Sequence, residues 1–116
     1  MIVSFDFDDT LLFASGANPI MMAKLLEHHE AGDTIIIVTS RNRHHDRQRW
    51  IKKNWPSRVS VRAFVSEHGL PVTDVVYTNH HPKGPILAER GAHMHYDDDP
   101  LEIRSCEEHG VRGVLY

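Results

Sequence analysis

The sequence predicts an α/β fold, a three-layer Rossmann-like domain built on a five-stranded parallel sheet. Two observations carry this reading. Thr34-Ile-Ile-Ile-Val-Thr39 is an uninterrupted β-branched run, the composition of a central strand buried on both faces. Around it, short apolar strands alternate with helical patterns in the order βαβααβαβαβ, which places consecutive strands parallel with helices covering both faces.

Met1 to Phe7 is apolar with β-branched residues and reads as the first strand. A turn-rich stretch, Ala14 to Asn18, follows it. Asn18 as N-cap and Pro19 at the first helical position start a helix with the apolar stripe Met22, Leu25, Leu26, and Gly32 ends it. After the Thr34–Thr39 strand, Arg43 to Asn54 is polar and helical in pattern, and Pro56 stops it. Ser57 is placed to cap a further helix whose Val61, Phe64 and Val65 face inward and which closes at Gly69. Asp74 to Thr78 is the third strand. Pro85 to Arg90 is a short helix closed by Gly91, and Ala92 to Tyr96 is the fourth strand. Asp99, Pro100 and Glu102 open a last helix through His109, and Gly113 to Tyr116 is the final strand.

The 116 residues fit one domain, 1–116. With 41% apolar and 25% charged residues the composition is that of an ordinary globular protein, which excludes disorder, collagen and coiled coil. No apolar run approaches a bilayer span, and Met1-Ile-Val-Ser lacks the basic flank of a signal peptide, so a cytoplasmic protein without membrane partners is expected. The lone Cys106 has no partner for an internal disulfide and reads as a buried small residue. The net charge of −3 hides an asymmetry: segment 41–62 holds eight of the thirteen Lys/Arg and one acid, hence +7. A charge-rich helix is commonly a solvated face; here it also offers a surface for a nucleic-acid backbone, with Trp50 and Trp55 as stacking or core residues.

In open parallel sheets, ligands bind beyond the carboxyl ends of the strands. Four segments converge there: Asp6-Phe-Asp8-Asp9-Thr10, Thr39-Ser40-Arg41, Lys83, and Asp97-Asp98-Asp99. Asp6 and Asp8, two apart in an extended segment, point the same way, and crowding them with Asp97 and Asp98 is repulsive unless a cation neutralises them. Oxygen ligands alone favour Mg²⁺ over zinc. A carboxylate beside Mg²⁺ can attack phosphorus, and a second one can protonate the leaving oxygen and then activate water. Thr39 and Lys83 are suited to the phosphoryl oxygens, with Thr10, Ser40 and Arg41 around the substrate. Asp99 reads as the N-cap of the last helix. His80 and His81 lie near Lys83 as exposed loop residues; His93 and His95 lack the further ligands that zinc needs.

This constellation resembles the haloacid dehalogenase superfamily of phosphohydrolases over nearly the whole chain. Asp6-Phe-Asp-Asp-Thr-Leu is similar to its DxDxT motif, Ile36-Ile-Val-Thr39 to its strand ending in Thr or Ser, Lys83 to its lysine, and Tyr96-Asp97-Asp98 to its acidic fourth motif. The resemblance implies Asp6 as nucleophile and Asp8 as general acid/base. It also implies Mg²⁺ held by the Asp6 carboxylate, the Asp8 backbone carbonyl and Asp98, with Asp97 in support and the register within 97–99 open by one. Asp9 stands where many members have Gly. Only 28 residues separate Thr10 from Thr39, and 43 separate Thr39 from Lys83, so neither usual insertion point is expected to carry a cap domain. Among capless members the polynucleotide 3′-phosphatases are the most similar, which implies a phosphorylated substrate as large as a nucleic-acid end. A phosphoprotein, a small phosphometabolite, or a non-catalytic metal- or nucleic-acid-binding module are the alternatives.

Overall fold

A computed structural model describes residues 1–13, 15–43 and 59–116. The helix expected over Arg43–Asn54, Ser57, both tryptophans and most of the basic segment lie outside the described residues.

The strands are β1 (Ile2–Phe5), β2 (Leu12–Phe13), β3 (Gly16–Ala17), β4 (Thr34–Thr39), β5 (Val72–Tyr77), β6 (Met94–Asp97) and β7 (Arg112–Leu115). The helices are α1 (Pro19–Glu30), α2 (Val61–Glu67), α3 (Lys83–Glu89) and α4 (Pro100–Glu108). Five strands form one all-parallel sheet in the order β5-β4-β1-β6-β7, as expected from the alternation of strands and helices. The first strand of the chain therefore lies at the centre, flanked by β4 and β6.

Side-chain alternation divides the core. Val3, Phe5, Ile35, Ile37 and Tyr96 face α1 and α2, where Leu25, Val61 and Phe64 meet them. Ile36, Val38 and Val76 face the other way, toward Leu87 and Cys106 of α3 and α4. Burial of each such aliphatic or aromatic side chain contributes about 1.5–3 kcal/mol.

Local signals set the ends of the elements. Asn18 accepts from the Ile20 and Met21 N–H groups as the N-cap of α1, and Asp99 accepts from Leu101 N at the start of α4. Ser60 caps α2, its hydroxyl accepting from Ala63 N. In α1 the buried side chains are Met21 and Leu25, whereas Leu26, expected inward, is exposed. The β2–β3 hairpin replaces the expected turn, its two-residue strands being too short to show a period. No helix among the described residues is long and apolar enough to cross a membrane.

Candidate active site

The carboxyl end of β1 supplies the centre. The chain leaves the sheet as Asp6, whose N–H still bonds the Tyr96 carbonyl at 2.8 Å, and then turns sharply, with the N–H groups of Thr10, Leu11 and Leu12 all directed at the Phe7 carbonyl. Asp9 adopts a left-handed backbone with φ 63°, a conformation that glycine takes freely and aspartate tolerates. That turn brings Thr10 back, and its hydroxyl donates to Asp6 Oδ2 at 3.0 Å. Asn18 secures the same loop from α1, donating to the Thr10 carbonyl at 2.8 Å.

Lys83, at the start of α3, is 1% exposed and joins two carboxylates: Nζ lies 2.8 Å from Asp6 Oδ1 and 2.7 Å from Asp97 Oδ2. Burial opposes the ammonium charge, and the two carboxylates outweigh it, holding the Lys83 amine above its ordinary range. Burial also pushes the Asp6 carboxyl well up, with Asp97 adding to the effect and Lys83 only partly offsetting it. Asp97 goes the other way. Burial favours its neutral form, but the bond from His95 and the charge of Lys83 prevail and hold it well below the usual carboxylate range. Asp98 is raised by burial and lies within hydrogen-bonding reach of Asp6.

Asp6, Asp97 and Asp98 each offer an oxygen, and these oxygens all lie within 4.8 Å of one another. A donor set of oxygens alone suits a hard divalent cation, and burial raises both the Asp6 and the Asp98 carboxyls, a crowding that a cation would relieve. The residues therefore fit Mg²⁺. Asp99, as expected, caps α4, and its N–H reaches back to Asp97 Oδ1 at 3.1 Å.

Asp8 and Thr39 line the β4 side. Arg41 grips both Asp8 oxygens, from Nε and Nη2, each at 2.8 Å, donates to the Val59 carbonyl at 2.9 Å, and stacks over the Phe7 ring at 4.8 Å. The residue read from sequence as a rim contact is thus mostly buried and tied to Asp8. Thr39 is buried, and its hydroxyl accepts from Arg41 N at 3.2 Å, leaving its own proton to donate. Ser40 is half-buried, with its carbonyl accepting from His80 N.

Ser4 is not singled out by the sequence, and His95, weighed there only as a zinc ligand, takes a different place. His95 is fully buried with Nε2 2.7 Å from Asp97 Oδ2 and Nδ1 2.9 Å from Ser4 Oγ. Burial lowers the His95 pKa against the opposing bond to Asp97. The available signal was a polar Ser4 and His95 inside strands otherwise apolar.

No protein-family model matches the chain, and no curated protein sequence matches it. Solved structures do. A chain of the Pnkp1/Rnl/Hen1 RNA repair complex superposes with a TM-score of 0.70 at 17% identity, covering 98% of this chain and 41% of its own length. A second structure of that complex gives 0.68 at 14%, covering 98% and 45%. The D,D-heptose 1,7-bisphosphate phosphatase from B. bronchiseptica, complexed with magnesium and phosphate, gives 0.65 at 11%, covering 98% and 79%. The likeness covers the five-stranded parallel sheet and its flanking helices, and shows a shared α/β, Rossmann-like fold. This chain spans less than half the length of the RNA repair chains it matches. Within this fold the acidic cluster occupies the carboxyl edge of the central strands β1 and β6.

Proposed function

We propose that the chain is a Mg²⁺-dependent phosphohydrolase that cleaves phosphomonoesters through an aspartyl-phosphate on Asp6, and that it acts on the 3′-phosphate end of a nucleic acid. The observation that carries the chemistry is the buried Asp6 carboxylate held by Lys83 and Thr10 against Asp97 and Asp98.

In the first step an Asp6 oxygen forms a bond to phosphorus as the ester P–O bond breaks, and Asp8 gives a proton to the departing oxygen. In the second, water attacks the aspartyl-phosphate, Asp8 takes its proton, and the Asp6 carboxylate returns as phosphate leaves. The Thr39 hydroxyl and the Lys83 ammonium meet the phosphoryl oxygens, where charge stabilisation matters most. Asp6 and Asp98 would hold the Mg²⁺, with Asp97 behind them, and the ion supplies charge neutralisation between nucleophile and phosphoryl group. One of the two bonds from Arg41 to Asp8 opens when an Asp8 oxygen reaches the leaving group, and the other keeps the Asp8 carboxylate oriented.

Two observations support the nucleic-acid end. The +7 segment begins at Arg41, beside Asp8, and chains of an RNA repair complex share the fold. The test is phosphate release from p-nitrophenyl phosphate and from a 3′-phosphorylated oligonucleotide, with and without Mg²⁺, using Asp6→Asn as control. Mg²⁺-dependent release from the oligonucleotide at far lower substrate concentration is expected. Turnover of the aryl ester alone would redirect the substrate to a small phosphoester, and an Asp6→Asn protein as fast as the parent would refute the mechanism.

A further inference from the structure

We propose that Ser4 and His95 form a buried hydrogen-bond relay that positions the Asp97 carboxylate and, through it, Lys83 against Asp6. The inference deepens the phosphohydrolase reading and rests on it for its catalytic consequence. The relay itself rests on geometry.

Ser4 and His95 are register partners on the adjacent central strands β1 and β6, and both are fully buried. They occupy the face directed at α3 and α4, where Ile36, Val38 and Val76 on the neighbouring strands are apolar. An apolar pair would suit that layer better, since a buried hydrogen bond contributes only about 1 kcal/mol net while each polar group must be stripped of water. The polar pair is therefore poorly explained by packing. Its direction is informative: His95 Nε2 is 2.7 Å from Asp97 Oδ2, the oxygen that also takes Lys83 Nζ at 2.7 Å.

An ionised carboxylate only accepts, so a His95 ring carrying one proton holds it on Nε2, and Nδ1 then accepts from the Ser4 hydroxyl at 2.9 Å. Asp97 Oδ1 is taken by Asp99 N. Three donors from β6, α3 and the α4 cap thus fix the Asp97 carboxylate, and that carboxylate is one of the two acceptors that hold Lys83. Without the His95 donor, Asp97 can turn about its terminal torsion, and Lys83 turns with it. His95 touches neither substrate nor phosphoryl group; it is a positioning residue.

The test compares His95→Leu, which removes the donor, with His95→Gln, whose amide can donate to Asp97 from Nε2 and accept from Ser4 through Oε1. Both change the core, so both are expected to melt lower than the parent. With p-nitrophenyl phosphate and saturating Mg²⁺, His95→Leu should lose about 10-fold to 100-fold in kcat with KM little changed, as outer-shell partners do. His95→Gln should recover most of that loss. Equal kcat in two variants of equal melting temperature would overturn the relay, because packing alone would then account for both.

A second readout needs no turnover. Nitrogen-15 NMR of the metal-free full chain should show the His95 ring as a single Nε2–H tautomer with a slowly exchanging proton. A ring protonated on Nδ1, or one mixing tautomers, overturns the proposal. A parent that hydrolyses no phosphomonoester refutes the proposed reaction, and the tautomer then decides the relay by itself.

Discussion

Arg41 and Asp8 form a two-pronged pair, guanidinium Nε and Nη2 each 2.8 Å from one carboxylate oxygen. Arg41→Lys keeps the charge but offers a point donor in place of the planar fork, so it cannot hold both oxygens in one plane. With Asp8 as the acid/base, this variant is expected to lose about 10-fold to 100-fold in kcat, within what general acid–base catalysis supplies. Steady-state kinetics on p-nitrophenyl phosphate measure it; full activity in Arg41→Lys would show that the fork does not position Asp8.

Lys83 is the only cation bonded to Asp6 among the described residues, and it is buried. Lys83→Met strands two buried carboxylates, and breaking a buried pair in this way costs about 3–5 kcal/mol. Denaturant unfolding without metal should show that loss. Adding Asp97→Asn should return part of it, and a strictly additive double variant would contradict the coupling.

Burial raises the Asp6 carboxyl and Asp98 faces it, so the metal-free edge repels itself. A cation that binds only the folded state stabilises it by about 2.7 kcal/mol at a concentration 100-fold above its Kd. Melting temperature should therefore rise by several degrees in millimolar Mg²⁺. Asp98→Asn should abolish most of the rise, and a parent curve insensitive to Mg²⁺ would refute the site.

Cys106 is fully buried between α4 and the sheet, and burial, with Asp97 and Glu102 adding, pushes its thiol up to about 12. Its folded value exceeds the unfolded one of about 8.5, so its contribution to stability is complete below about pH 8.5 and is lost only as pH rises through the folded value. At pH 8 the native thiol should react with a disulfide reagent only as fast as the chain unfolds. Rapid stoichiometric labelling of folded protein would show an accessible thiolate instead.

Gly84 lies where α3 crosses α4. A Cβ there would meet the Ser105 carbonyl oxygen at 2.2 Å, and the Gly84 N–H donates to Ser105 Oγ at 3.1 Å. Alanine would gain up to about 1 kcal/mol in helix propensity, which a backbone clash costing about 1–3 kcal/mol or more outweighs. Gly84→Ala should unfold at lower denaturant and, because Lys83 is its neighbour, lose activity before it loses structure. An unchanged midpoint would mean that α4 yields freely.

Sequence revealed what is local or periodic. Thr34–Thr39 showed a two-sided strand, and Asn18-Pro19 and Asp99-Pro100 showed helix starts, because each signal lies within a few residues of its partner. The acidic edge followed from the parallel sheet, which puts strand ends together. Arg41 with Asp8 and His95 with Ser4 did not follow, since these contacts join residues 33 and 91 apart and depend on side-chain direction.

The central position of β1 has a consequence for how the molecule is made. Asp6 leaves the ribosome before its partners in the site: its bond to Lys83 spans 77 positions, and β6, which brings Asp97, comes later still. No early fragment of the chain can hold a working site. Loop-closure entropy must be met before these distant contacts reward it, which makes assembly slow relative to helical proteins of this size. Until β4 and β6 close on either side, the apolar Ile2–Phe5 strand has two open edges, so a nascent chain stalled before residue 94 would offer a template for aggregation and no activity.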